Sequence, residues 1–162
     1  MPDDVPTTDE TVPVDVDEPV DDTVYEGPDL VTFSLATTAV FAVSAVLAAI
    51  SPDVFGAFTV TIDLALFAVG VVLFLWAYGK AVGRSRTDLI GIGGLYFLAG
   101  TAPKVVRVRL LGALGAQIVL AVGSAAFRPF TVAAFGILVP ILGLGCAGLW
   151  AARYGTFEPR AS

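Results

Sequence analysis

Four apolar segments, each about as long as a bilayer core is thick, constrain the fold of this chain most strongly. A hydrocarbon core of about 30 Å requires about 20 helical residues, each rising about 1.5 Å. The segments cover residues 30–50, 57–78, 110–127 and 130–152. We therefore predict an all-α integral membrane protein, a bundle of four helices that cross the membrane.

The composition agrees with this fold and excludes several kinds of chemistry. Of 162 residues, 56% are apolar and only 15% are charged, with a mean hydropathy of +0.84, which is too apolar for a soluble domain. The chain has no histidine and one cysteine, Cys146. His-ligated metals, Ser-His or Cys-His nucleophiles and intrachain disulfides are therefore excluded. We expect no enzymatic activity, no catalytic residue, no metal, no cofactor and no nucleic-acid partner.

The N-terminal residues 1–29 have a different composition from the rest. They contain 11 acidic residues, no basic residue and five prolines, whereas the remainder has 4 acidic and 9 basic residues. Repulsion between like charges and the prolines predict a disordered acidic tail. The tail lacks the basic start of a signal peptide. It is either a solvated spacer or an arm that docks on a basic surface.

The connection at residues 79–109 decides the predicted topology. Its apolar part, residues 89–102, has 14 residues and four glycines, so it is too short to cross and is expected to lie on or dip into the membrane. With this part on one side, six bases of the loop collect there, and Arg153 and Arg160 near the C-terminus add two more. As a fifth span, this part would instead divide the bases almost evenly between the two sides. The positive-inside rule then places both termini in the cytoplasm, in a multi-pass protein of the cytoplasmic (inner) membrane.

The basic residues of this loop are also candidate contacts for anionic lipid or for an acidic partner. Three of them follow Pro103, where a helix over residues 103–127 is predicted to begin. Cations near a helix N-terminus oppose the macrodipole, so an anionic group should offset the cost. The alternative is that the charges only set the topology. The six candidates are Lys80, Arg84, Arg86, Lys104, Arg107 and Arg109.

Asp63 is the only acidic residue inside a predicted span. A carboxylate in the hydrocarbon core is costly and is therefore a functional candidate. Arg128 is the only base on the outer side in this topology. We predict an intramembrane contact between Asp63 and Arg128, with Asp53 as the competing partner of the arginine. The pair is either structural or takes part in handling protons or ions.

Small residues at a spacing of four predict close helix packing. Gln117 lies among alanines on one face of the third span, and its amide can bond across to a neighbouring helix. Gly143 and Ala147 form a similar face in the fourth span. Pro140 lies near the middle of that span and is expected to kink it. These faces serve packing within one bundle, self-association or docking of a partner.

Two stretches resemble those of small uncharacterised four-span membrane proteins from high-GC Gram-positive bacteria. They are residues 91–106 (GIGGLYFLAGTAPKVV) and 128–160 (RPFTVAAFGILVPILGLGCAGLWAARYGTFEPR). The absence of asparagine and the use of two lysines against seven arginines also suit a GC-rich genome. The resemblance implies a membrane location and four spans, and it assigns no activity or functional residue.

The sequence favours a non-catalytic accessory or scaffold protein of the membrane. Its expected partners are the lipid bilayer, anionic lipid, another membrane protein or a second copy of itself. The alternative is a small transporter or channel that uses Asp63 and a kink at Pro140. A hydrated cavity that reaches Asp63 would favour the alternative, whereas a dry or fully paired Asp63 would favour the scaffold.

Overall fold

The computed structural model describes residues 26–127 and 132–160, and this part of the chain is almost entirely helical. Four of its helical stretches are long and apolar enough to cross a membrane. The predicted all-α four-span architecture is therefore confirmed, and the protein is a multi-pass membrane protein. Most of the acidic tail lies outside the described residues. The elements are α1 (Pro28–Ile50), α2 (Pro52–Arg84), α3 (Ile92–Phe97), α4 (Lys104–Phe127), a 3₁₀ segment (Val132–Leu138) and α5 (Pro140–Tyr154).

Proline marks the start of three of these helices. Pro28, Pro52 and Pro140 each stand in the first turn, where the missing N–H costs nothing and φ is already helical. The helix α2 has 33 residues and is about 50 Å long. It extends beyond the predicted span at both ends, because hydropathy locates the apolar centre of a helix, whereas hydrogen bonding continues to its caps.

Both ends of the described chain meet at one end of the bundle. Gly27, with φ of 70° in the left-handed region, lies so close to the Tyr154 ring that a side chain there would collide with it. The backbone N–H of Thr156 donates to the Thr101 carbonyl at 3.1 Å. We call this the basic end, because α2 ends and α4 begins there with the six loop bases. The opposite end, where α1 meets α2 at Ser51, is the turn end.

The helix α5 is the centre of the bundle. Ten of its 15 residues are buried, compared with five of 23 in α1. Its small side chains let α2 approach closely. A Cβ on Gly145 would lie 2.9 Å from the carbonyl oxygen of Gly70, and one on Gly70 would lie 2.6 Å from the backbone nitrogen of Leu142. Close backbone contact of this kind is typical of helix packing in membranes.

The fourth span differs from the predicted kinked helix over residues 130–152. The segment Val132–Leu138 is a 3₁₀ helix, and the α-helix begins only at Pro140. Pro140 therefore stands in the first turn of the α-helical part, where its missing N–H is tolerated. Val139, between the two parts, has helical dihedral angles (φ −62°, ψ −36°), so the 3₁₀ segment passes directly into α5, and the expected kink stays a prediction.

The short helix α3 does not cross the bundle. Its six residues are about 9 Å long. The Tyr96 ring stacks on Phe74 of α2 with centroids 4.7 Å apart, and a Cβ on Gly148 of α5 would lie 2.6 Å from the same tyrosine. The apolar part of the loop thus packs against the bundle itself at the basic end.

Candidate functional site

Arg84 holds the basic end together. Its guanidinium forms a salt bridge with Asp88, one turn further along the chain, with Nη2 2.8 Å from Oδ2. It also donates to the carbonyl oxygens of Ala152 and Gly155 at 3.3 Å. The Phe157 ring covers it, with Cζ 5.2 Å from the ring centroid. Arginine suits this position, since its planar group has several donors in a fixed arrangement.

The residues after α5 fold back over the loop and form what we call the C-terminal segment, residues 155–160. Leu89 N–H donates to the Glu158 carbonyl at 2.8 Å, and Arg160 N–H donates to the Thr87 carbonyl at 2.7 Å. These bonds form a short antiparallel bridge between Asp88 and Pro159. The sequence gives no sign of this pairing, and the segment was expected to be a simple tail.

The other loop bases face outward. Lys80, Arg86, Lys104 and Arg107 are exposed. Lys104 and Arg107 lie in the first turn of α4 at a spacing of three, so they share one face. Arg109 is also exposed and makes a contact within the chain. Of the six candidates, Arg84 therefore has a mainly structural role, and Lys80, Arg86, Lys104 and Arg107 form a set that we call the basic surface.

The tryptophans lie at the basic end, but only one is on the surface. Trp76 is about half exposed, and its ring lies 4.9 Å from the Arg153 guanidinium. Trp150 is 2% exposed, and its indole N–H donates to the Glu26 carbonyl at 2.9 Å. Trp150 is therefore a buried packing residue that ties the start of α1 to α5. Sequence position alone did not separate these two roles.

Asp63 of α2 is inside the bundle, 1% exposed. Its Oδ1 has no hydrogen-bond partner among the described residues. A Cβ on Gly136, in the 3₁₀ segment, would lie 3.6 Å from its Oδ2. The lone acid of the spans therefore lies beside the irregular part of the fourth span. Asp63 is 15 residues from Tyr78, or about 22 Å along the helix, and thus nearer the turn end than the basic end.

The predicted contact between Asp63 and Arg128 involves a residue outside the described parts of the chain, so it stays a prediction. Asp53, the competing partner, is exposed at the turn end.

Gln117 connects three helices. Its Nε2 donates to Thr38 Oγ1 of α1 at 2.8 Å, and its Oε1 accepts from the Gly143 N–H of α5 at 3.2 Å. Gly143 lies in the first turn of α5, where N–H groups lack partners within the helix. Gln117 thus caps the N-terminal turn of α5, which begins at Pro140. Ala147, one turn after Gly143, is fully buried.

Sequence reasoning missed the contribution of Tyr96. This tyrosine is 7% exposed, and its hydroxyl has no partner among the described groups. Burial, followed by the neighbouring Tyr78, raises the pKa of the Tyr96 phenol. The spacing of four between Arg84 and Asp88 was a readable signal for their ion pair, whereas no local pattern places Tyr96 against α5.

No cluster of three or more possible metal ligands occurs within the described ranges 26–127 and 132–160. Comparisons with protein-family models, with curated proteins and with solved structures found no match.

Proposed function

We propose that this protein is a non-catalytic accessory or scaffold component of a membrane, which binds anionic lipid or an acidic surface of another membrane protein. The observation that carries this proposal is the basic surface, in which Lys80, Arg86, Lys104 and Arg107 are exposed at one end of the bundle. The neighbouring loop and C-terminal segment are tied together by Arg84, so the surface has a defined framework.

Electrostatics gives this surface a preferred partner. A base near an anionic leaflet contributes about 1 kcal/mol, and the positive end of the α4 macrodipole adds to the field of Lys104 and Arg107. The exposed side chain of Val108, next to them, suits the boundary between headgroups and hydrocarbon. Lipid phosphates at the leaflet surface meet both requirements.

The lipid preference is testable with the purified protein and spin-labelled lipids. We expect labelled phosphatidylglycerol to associate more strongly than labelled phosphatidylcholine. The double variant Lys104→Gln, Arg107→Gln should reduce this preference by up to about fivefold per base, from about 1 kcal/mol each. The matched control Lys104→Arg, Arg107→Lys retains both charges and should retain the preference. Equal preference in all three proteins would reject the proposal.

The positive-inside rule supports a cytoplasmic position for the basic end and hence for both termini, in the cytoplasmic membrane. Cysteines introduced at Asp53 and Thr87, which are exposed at opposite ends, test this orientation in intact cells. Cys146 is buried and gives a low background. We expect a membrane-impermeant maleimide to label the cysteine at 53 from outside, and the one at 87 only after lysis. The reverse pattern would invert the orientation.

A small transporter or channel is the second candidate, and it is favoured by Asp63 beside the 3₁₀ part of the fourth span. A 3₁₀ stretch within a longer helix often marks a functional hinge, and an ionisable group inside a membrane bundle is a functional candidate. Potential-driven proton uptake by proteoliposomes, abolished by Asp63→Asn and unaffected by Asp53→Asn, would support this function. Uptake that is the same in wild type and Asp63→Asn would contradict it.

A further inference from the structure

A crevice of about 330 Å³ lies between α1, α2 and α4 toward the turn end. This volume is within the usual range of small-molecule sites, which are mostly apolar with a few polar groups. The polar lining side chains are Asp63, Thr59 and Ser124. The rest of the lining is apolar and includes Phe41, Val46, Val119, Gly123 and Phe127.

The two hydroxyl groups do not satisfy Asp63. Thr59 donates to the Ser44 carbonyl at 3.1 Å, and Ser124 donates to the Leu120 carbonyl at 2.8 Å. Each hydroxyl has one proton and already donates it to a backbone carbonyl, so neither can donate to Asp63. Asp63 is 1% exposed, and its Oδ1 receives no hydrogen bond from the described residues. An acceptor left in this state is costly, and a donor from a ligand would remove the cost.

The crevice opens on helix faces that are exposed. Val46 is 54% exposed, Val119 is 71% exposed and Phe127 is 89% exposed. In a bilayer, such apolar faces of α1 and α4 meet lipid chains. A ligand that partitions into the membrane can therefore reach the crevice sideways, without a path through the bundle.

We propose that this crevice binds a small lipophilic amine. Its apolar body would occupy the space between α1 and α4, and its protonated ammonium would donate a hydrogen bond to Oδ1 of Asp63. An anion would be repelled by the carboxylate. A neutral hydrocarbon would leave Oδ1 without a donor. A cation with N–H groups supplies both the charge and the donor that the described residues do not provide to Oδ1. This inference goes beyond the accessory role, because it concerns a different surface and a different ligand. It competes with the predicted contact between Asp63 and Arg128, since both place a cation at the same carboxylate.

The test is titration of the full-length protein in nanodiscs with 4-phenylbutylamine, followed by ligand-observed NMR. The neutral 4-phenylbutanol, titrated in parallel, reports apolar binding without the charge. Two variants probe the two halves of the site. Asp63→Asn removes the carboxylate charge with little change of shape, and Gly123→Leu puts a side chain into the crevice. Their matched controls are Asp53→Asn, exposed on the same helix as Asp63, and Gly115→Leu, in open space on the same helix as Gly123.

We expect saturable binding of the amine that Asp63→Asn and Gly123→Leu each weaken at least about tenfold, while both controls stay within about twofold. The alcohol should bind more weakly than the amine to the wild type. Helical circular dichroism establishes that each variant is folded. Amine binding that is non-saturable, equal in Asp63→Asn and wild type, or weaker than binding of the alcohol would overturn the proposal. None of these results bears on the lipid preference of the basic surface, so the two proposals fail separately.

Discussion

Replacement of Gln117 by methionine tests the polar contact that connects α1, α4 and α5. Methionine has a similar length and volume, but it can neither donate to Thr38 nor accept from the Gly143 N–H. A hydrogen bond between membrane helices contributes about 0.6 kcal/mol on average. The Gly143 N–H, left without an acceptor in a buried position, adds a penalty of about 1–3 kcal/mol. We therefore expect Gln117→Met to lower the free energy of unfolding by about 2–3 kcal/mol.

Unfolding in mixed micelles with increasing sodium dodecyl sulfate, followed by circular dichroism at 222 nm, measures this change. Thr38→Val removes only the acceptor of the Gln117 amide and leaves that buried N–H without a partner, so it should also cost about 1–3 kcal/mol. Ile118→Met, at an exposed neighbouring position on α4, is the matched control and should cost less than about 0.5 kcal/mol. A Gln117→Met protein as stable as the Ile118→Met protein would refute the view that Gln117 caps α5.

Three further substitutions test the close helix contact, the clamp at the basic end and the buried phenol. Gly70→Ala places a Cβ against the α5 backbone and should lower the free energy of unfolding by about 1–3 kcal/mol. Gly79→Ala, in open space on the same helix, should leave the free energy of unfolding unchanged or raise it by up to about 1 kcal/mol. Equal losses of stability in Gly70→Ala and Gly79→Ala would contradict the packing argument. Arg84→Gln removes the donors that hold the C-terminal segment, so amide hydrogen exchange there should accelerate at least about tenfold. Exposed Arg86→Gln should leave that exchange unchanged, and the same acceleration in both variants would point to a general charge effect. Tyr96→Phe deletes a buried hydroxyl that has no partner within residues 26–127 and 132–160, so thermal unfolding should show unchanged or slightly raised stability, by up to about 1 kcal/mol. A stability loss of more than about 1 kcal/mol would reveal a partner for the hydroxyl.

The helices of this protein were predictable because their signals are local. Twenty consecutive apolar residues identify a span without knowledge of its neighbours, and Pro28 and Pro52 mark helix starts from their own backbone chemistry. The same local rule was insufficient at Pro140. The sequence did not predict that the α-helix of the fourth span starts at this proline after a 3₁₀ segment. That change depends on which groups accept hydrogen bonds from the N–H groups that follow the proline. Here Gln117, on another helix, accepts one of them.

For Asp63, too, one feature is visible in the sequence and another only in the fold. Its charge within an apolar segment identifies it as a candidate from the sequence. Its crevice is formed by side chains of α1, α2 and α4, so neither the cavity nor the lack of a partner for Oδ1 among the described residues could be predicted from α2 alone.

The four spans, the concentration of bases between the second and third, and the small residues that permit close packing all follow from the order of residues along the chain. The tertiary structure alone decided what each polar group does. Arg84 and Arg107 are both arginines near the ends of long helices, yet Arg84 donates to a carbonyl 71 residues away, whereas Arg107 is exposed. Hydropathy and helix starts depend on consecutive residues, but a hydrogen bond depends on the distance between two atoms, which the packing of α5 against its neighbours sets.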